Sequence, residues 1–337
     1  MYGHGTLVMT EKLLDIQNLG VCFQVGSMFN KAELRAVHAV NFSVDRGEII
    51  ALVGESGSGK STIARMICRL EKPTAGKILL DGLDVLETEQ NAASKEYRKR
   101  VQMIFQDPFG SLNPVHTVAY HLSRPLQLHH AISNSELRSR ILQLLDTVGL
   151  RPAEDFIDKY PHSLSGGQRQ RISIARALAT EPDLICADEP TSMLDVSIRM
   201  DILQLLTNLR DERQTAFIFV THDLAAARQL ADRILVLYAG QLVEEATSDE
   251  LVANPRHPYT QLLLAAAPQR GGSLDAPLPA KPGTPKNVDP EPGCAFADRC
   301  TQAMDICRRK TPGWTKLENR RVRCYLYGET QADEEKS

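Results

Sequence analysis

The chain has 337 residues, 42% of them apolar and 24% charged, with a formal net charge of −3. That length allows about two domains, the composition is globular, and the near-balanced charge speaks against a dedicated nucleic-acid binder. No apolar run approaches the ~20 residues that span a bilayer. The start offers only Leu7-Val8-Met9 where a secretory signal needs a long apolar region, so a cytoplasmic protein is expected.

Residues 1–9 are set aside as an added or upstream-start segment, with Met9-Thr10 as the natural beginning. From Leu13 to Val53 short alternating runs, with a turn at Asp45-Arg46-Gly47, predict an antiparallel β layer. Phe23, in Val21-Cys22-Phe23-Gln24, is placed either to stack on an adenine base or to face a core. The apolar run Ile49 to Val53 then delivers the chain to Gly54-Glu55-Ser56-Gly57-Ser58-Gly59-Lys60-Ser61, followed by a helix-like stretch from Thr62 to Leu70. This is a phosphate-binding P-loop: glycines let backbone N–H groups close around an anion, and a helix N-terminus points at the same place. Lys60 is positioned for the β- and γ-phosphates and Ser61 for Mg²⁺.

Between Val101 and Thr180 the character turns helical, and Leu137, Ile141, Leu144, Leu145 and Val148 mark one helical face across Glu136 to Val148. A helical subdomain over about 107–180 is therefore expected within an α/β core. Apolar strands resume at Leu184 to Ala187, Ala216 to Val220 and Ile234 to Leu237. They alternate with helices over Ile198 to Arg210 and Leu224 to Leu230, the pattern of a parallel sheet covered on both faces. The first of these strands ends in Asp188-Glu189. Ligands of such sheets lie at the carboxyl ends of the strands, so Asp188 is expected on Mg²⁺ and Glu189 on the attacking water. Residues 254–293 read as a connecting helix and a linker, rich in Pro, Gly and Ala from Pro268 on. Of seven cysteines, Cys22, Cys68 and Cys186 read as small buried hydrophobes. Cys294, Cys300, Cys307 and Cys324 crowd into a tail, residues 294–337, which suggests metal rather than disulfides in a cytoplasmic setting.

Leu164-Ser165-Gly166-Gly167-Gln168-Arg169-Gln170-Arg171 resembles the signature motif of ATP-binding-cassette ATPases. Gln106, in Phe105-Gln106-Asp107-Pro108, is similar to the family's Q-loop, and His222, in Val220-Thr221-His222-Asp223-Leu224, to its switch histidine. Order and spacing agree. The resemblance implies a P-loop NTPase (RecA-like) α/β core with an antiparallel β subdomain and a helical subdomain, plus here a cysteine-containing C-terminal extension. It implies an ATP site formed by Phe23, the P-loop residues Gly54 to Ser61, Thr62, Gln106 and Asp188, with Ser61, Gln106 and Asp188 around Mg²⁺. Glu189, His222 and Gln106 would carry catalysis. Ser165, Gly166, Gly167 and Gln168, with Asp195 in the D-loop, would complete the ATP site of a second cassette. Met193 is bulkier than the family's usual residue two before that aspartate, which bears on packing at the seam between cassettes.

Asn254-Pro255-Arg256-His257-Pro258-Tyr259-Thr260, the apolar helix Gln261 to Ala267 and the cysteine tail resemble the ATPase subunits of dipeptide and oligopeptide importers. Phe109-Gly110-Ser111-Leu112-Asn113-Pro114 and the insertion Gly26 to Arg35 bring the chain nearer the second of two paralogues. The resemblance implies ATP-driven peptide import at the cytoplasmic face of the inner membrane. Expected partners are a paralogous ATPase, two permease subunits and an extracytoplasmic solute-binding protein, with no nucleic acid. It favours a 4Fe–4S cluster on Cys294, Cys300, Cys307 and Cys324, with Zn²⁺ or unligated thiols as the alternatives. Arg299, Arg308 and Arg309 read as a solvated face or partners of that metal site. Oligosaccharides or metal chelates remain open as cargo. An efflux ATPase is disfavoured by the C-terminal extension. A ribosome- or nucleic-acid-directed cassette ATPase is disfavoured by the single P-loop and the absence of heptads.

Overall fold

The structure, a computed structural model, describes residues 12–27, 30–89, 92–130, 132–266, 280–285, 288 and 292–328. The leading nine residues and most of the Pro-rich linker lie outside these. The strands are β1 (Lys12–Ser27), β2 (Asn30–Asp45), β3 (Ile49–Val53), β4 (Ala75–Leu80), β5 (Leu83–Asp84) and β6 (Val101–Ile104). They continue with β7 (Leu184–Asp188), β8 (Ala216–Thr221), β9 (Arg233–Tyr238), β10 (Gln241–Thr247), β11 (Thr315–Leu317) and β12 (Arg320–Val322). One sheet has the order β2-β1-β4-β5 and is antiparallel. The other has the order β11-β12-β10-β9-β3-β8-β7-β6, parallel from β9 to β6.

The P-loop strand β3 is buried along its whole length. Its alternate side chains serve two cores: Ile49, Ala51 and Val53 face the helical side, and Ile50 and Leu52 face the antiparallel sheet. Both faces are therefore apolar, which is why the run reads as continuous rather than alternating. The antiparallel layer expected from Leu13 on is present, but as two 16-residue strands rather than several short ones. Register shifts between Ile16 and Leu19 and again up to Cys22 explain the broken alternation, because each bulge changes which face the next residue meets. Cys68 and Cys186 are buried as expected, whereas Cys22 is only half-buried.

The helical subdomain contains helices Pro108–Ser111, Val118–His129, Asn134–Thr147, Glu154–Ile157 and Gly166–Leu178. Ser133 and Glu136 form a capping box at the start of Asn134–Thr147, whose face buries Ile141, Leu144 and Leu145. Val101–Ile104, read from sequence as the start of this helical region, is instead the edge strand β6 beside β7. A four-residue apolar run carries no period long enough to tell strand from helix.

The C-terminal segment packs into the core. β12 pairs antiparallel with β10 and β11 with β12, so the eight-stranded sheet is completed by residues beyond 314. Phe296, 1% exposed, sits with its ring centroid 5.1 Å from that of Tyr238 and 5.5 Å from that of Tyr259. The fully buried Glu244 accepts hydrogen bonds from the backbone N–H groups of Arg256 and His257 at 2.8 and 2.9 Å. It also lies 3.8 Å from the buried Arg320 guanidinium, so the buried charge is paired as its desolvation demands.

Candidate nucleotide site

At the end of β3 the chain turns through Gly54 to Gly59 into the helix Lys60–Ile67. Gly57 has φ +77° with open space where a Cβ would stand. At Gly59, φ +104°, a Cβ would lie 2.4 Å from the Ala36 carbonyl oxygen, so only glycine permits this approach. Lys60 is 4% exposed, and its Nζ donates to the carbonyl oxygens of Gly54 and Glu55, both at 2.8 Å. Burial lowers its pKa, opposed by the carboxylates of Glu189, Asp188 and Glu55. Ser61 Oγ donates to Asp188 Oδ1 at 2.7 Å. Asp188, at the carboxyl end of β7, is 3% exposed, and burial raises its pKa.

Glu189 follows in the left-handed region at φ 44°, a strained conformation of the kind that accumulates at functional sites. Its N–H donates to the Val220 carbonyl at 2.9 Å, and its own carbonyl accepts from Ser192 Oγ at 3.0 Å. The carboxylate is held at both oxygens. Gln106 Nε2, just beyond β6, donates to Oε2 at 2.9 Å, and His222 Nδ1, just beyond β8, lies 3.2 Å from Oε1. Three adjacent strands thus end on one carboxylate.

These groups border a cavity of about 730 Å³. Ser56, Gly57, Gly59, Lys60, Ser61 and Thr62 form its floor, with Gln106, Glu189 and His222 at one wall and Phe23, Leu34 and Ala36 at another. The residues present suit a triphosphate with Mg²⁺. An uncapped helix start faces the turn, a buried lysine bonds loop oxygens among the described residues, and a hydroxyl and a carboxylate already converge where a cation would need oxygens.

None of Ser165, Gly166, Gly167 or Gln168 is among the described residues lining this cavity. Ser165 caps the helix Gly166–Leu178, in a capping box with Gln168. The turn packs on the D-loop side: a Cβ on Gly167 would lie 2.7 Å from Ile198, and one on Gly166 3.8 Å from Leu194. Asp195 heads the helix Val196–Arg213 without a side-chain cap bond. Met193 is 55% exposed, near Val196 at 74%.

The expected cysteine site does not form as a ligand set. Among the described residues no group of three or more His, Cys, Asp or Glu is placed to hold a metal ion. Cys294 and Cys307 meet through backbone, Cys294 N–H donating to the Cys307 carbonyl at 2.7 Å. Burial, then the neighbouring thiols, pushes Cys294 up to about 12 and Cys324 up to about 11. The four suit a cluster by donor chemistry but not by placement. Arg299 also departs from the solvated role expected of it: its guanidinium forks onto the carboxylate of Glu55 at 2.9 and 3.0 Å. Neither its contact nor that of Tyr259, whose hydroxyl accepts from the Glu55 N–H at 2.7 Å, was signalled in the sequence, where both residues read only as parts of the C-terminal segments. Each lies more than 200 positions from the loop it contacts.

A family profile described as ABC transporter matches residues 37–192, and one described as oligopeptide/dipeptide transporter, C-terminal region, matches residues 243–307. The oligopeptide transport ATP-binding protein AppF of Bacillus subtilis (strain 168) is 40% identical over 329 residues, 96% of this chain and 99% of that protein. The dipeptide transport ATP-binding protein DppF of Haemophilus influenzae is 40% identical over 281 residues, 83% of this chain and 85% of that one. The oligopeptide transport ATP-binding protein AppD of the same Bacillus strain is 41% identical over 329 residues, 96% of this chain and 99% of that one. Among solved structures, the ATP-binding cassette MJ0796, dimeric and bound to ADP and Pi, superposes with a TM-score of 0.62 at 33% identity. The match covers 70% of this chain and 99% of that one.

Fold and cavity together define a P-loop ATPase of the ATP-binding-cassette class. More narrowly, the chain belongs to the ATP-binding subunits of ABC transporters that carry the oligopeptide/dipeptide C-terminal region. Among the described residues no helix is long and apolar enough to cross a membrane.

Proposed function

We propose that this protein hydrolyses ATP to drive import of peptides through an ABC transporter. The observation that carries the catalytic part is the convergence of Gln106 and His222 on Glu189 beside the P-loop. Peptide cargo is supported by the names of its relatives.

Lys60 exchanges its loop carbonyls for phosphate oxygens when ATP enters, and Phe23 stacks on the base. Ser61 and Asp188, with Gln106 beside them, would hold Mg²⁺, which would supply positive charge against that of the phosphates. Glu189 accepts a proton from the attacking water, with Gln106 and His222 fixing the orientation of its carboxylate. His222 also reaches toward the γ-phosphate. Because phosphoryl transfer is mostly positioning and charge stabilisation, a carboxylate pinned at both oxygens suits the task.

Ser165 to Gln168 and Asp195 lie away from this chain's own cavity and complete the ATP site of a second cassette, a paralogue in a heterodimer. Exposed Met193 and Val196 fall at that seam. The pair docks peripherally on two permease subunits at the inner face of the inner membrane, fed by an extracytoplasmic binding protein. A cluster or Zn²⁺ on Cys294, Cys300, Cys307 and Cys324 has the support of donor chemistry alone and enters no step here. Iron, sulfide and zinc analysis of anaerobically purified protein tests it.

The decisive experiment is ATP hydrolysis by the reconstituted complex. Peptide-loaded binding protein should accelerate it, and equal acceleration by an oligosaccharide or chelate with its own binding protein would remove peptides as the cargo.

A further inference from the structure

Glu55 is the second residue of the phosphate-binding loop, and each of its polar groups has a partner. Its N–H donates to the Tyr259 hydroxyl at 2.7 Å, its carbonyl accepts from Lys60 Nζ at 2.8 Å, and its carboxylate takes two arms of Arg299 at 2.9 and 3.0 Å. Two of these three partners come from beyond residue 254. The loop is thus braced from the C-terminal segment.

The brace is itself well held. The Arg299 side chain is 12% exposed, with its guanidinium 5.8 Å from the Tyr238 ring centroid and 5.6 Å from that of Phe296. Phe296 in turn packs on Tyr238 and Tyr259. A two-armed guanidinium–carboxylate pair fixes direction as well as charge, which a lysine does not do. Electrostatically, a carboxylate on this loop is misplaced, because the loop receives a polyphosphate. Unpaired, Glu55 would repel the incoming anion and compete with it for Lys60.

We propose that Arg299 is a positioning residue for ATP binding: by neutralising and orienting Glu55, it keeps that carboxylate off the phosphates and leaves Lys60 free to change partners. ATP affinity is thereby coupled to docking of the segment that carries Cys294 and Cys300. Coupling of binding free energies is reciprocal, so ATP also tightens that docking. The inference extends the ATPase activity and does not depend on the cargo.

The test is ATP–Mg²⁺ affinity of the full chain and steady-state kinetics of the assembled transporter. Arg299→Ala should raise Kd and KM for ATP about tenfold, a typical coupling, with kcat within about twofold of wild type. The double variant Arg299→Ala/Glu55→Gln should recover most of that affinity, since the charge needing neutralisation is gone. Arg299→Lys should fall between. Unchanged affinity in Arg299→Ala would overturn the proposal, as would a double variant as impaired as the single one, the result expected of a merely structural support. Should Arg299→Ala not fold, hydrogen exchange on the wild-type chain carries the test. ATP should slow exchange across residues 294–308 about tenfold, and unchanged exchange there with ATP bound would refute the coupling. A wild-type chain that bound no ATP would instead sink the proposed function.

Discussion

Gln106 Nε2 donates to Glu189 Oε2 at 2.9 Å, so the residue at the junction of β6 with the helical subdomain is bonded directly to the proposed base. Any movement of that subdomain that carries Gln106 away releases one oxygen of the carboxylate. Glu189→Gln should keep ATP affinity within about twofold while turnover falls by ~10²–10⁴, the usual contribution of a general base. Gln106→Ala should cost ~10–100-fold in kcat, the worth of a hydrogen bond to a charged group. Nucleotide binding measured alongside single-turnover hydrolysis separates the two effects, and near-wild-type hydrolysis in Glu189→Gln would dismiss it as the base.

Phe23 lines the cavity opposite the catalytic wall and is only partly buried, as a stacking platform must be. Phe23→Ala should weaken ATP binding by about tenfold, within the ~1–3 kcal/mol that base–aromatic stacking supplies. Phe23→Trp should restore it. Calorimetry with ATP and GTP checks the reading further: a stacking contact should weaken both alike.

Phe296 is buried against two tyrosines although it belongs to the C-terminal segment. Phe296→Ala should destabilise the chain by ~3–5 kcal/mol, as large-to-small changes in cores do. A thermal or denaturant melt reads this directly. An exposed tail would lose almost nothing.

His257 is 1% exposed, and its Nδ1 accepts the Tyr259 N–H at 3.0 Å. Burial lowers its pKa from the ordinary 6.5 to about 3. The folded chain therefore keeps the ring neutral while the unfolded chain binds a proton. Its contribution to stability is complete above about pH 6.5 and is lost as pH falls toward 3, at up to ~1.4 kcal/mol per unit. Between pH 7.5 and 5.5, wild type should lose about 1 kcal/mol more than His257→Gln, measured by denaturant unfolding at both values. Parallel losses would show that the ring protonates in the folded state.

Much of the nucleotide site was legible in the sequence because phosphate chemistry is demanded within short windows. Gly54 to Ser61 must turn tightly and end in Lys60 and Ser61, and Asp188-Glu189 must follow an apolar strand. The helical face read across Glu136 to Val148 was equally plain, since its spacing is local; the structure has that helix over Asn134–Thr147. What only the tertiary structure decided are contacts between distant segments: Arg299 on Glu55, β12 on β10, Val101–Ile104 as a sheet edge, and four neighbouring cysteines that form no metal ligand set among the described residues. Residue type announces that a group can bind a phosphate, a carboxylate or a metal. Whether it meets one depends on strand register and on which core buries the intervening chain, and those are settled only when all the segments pack together.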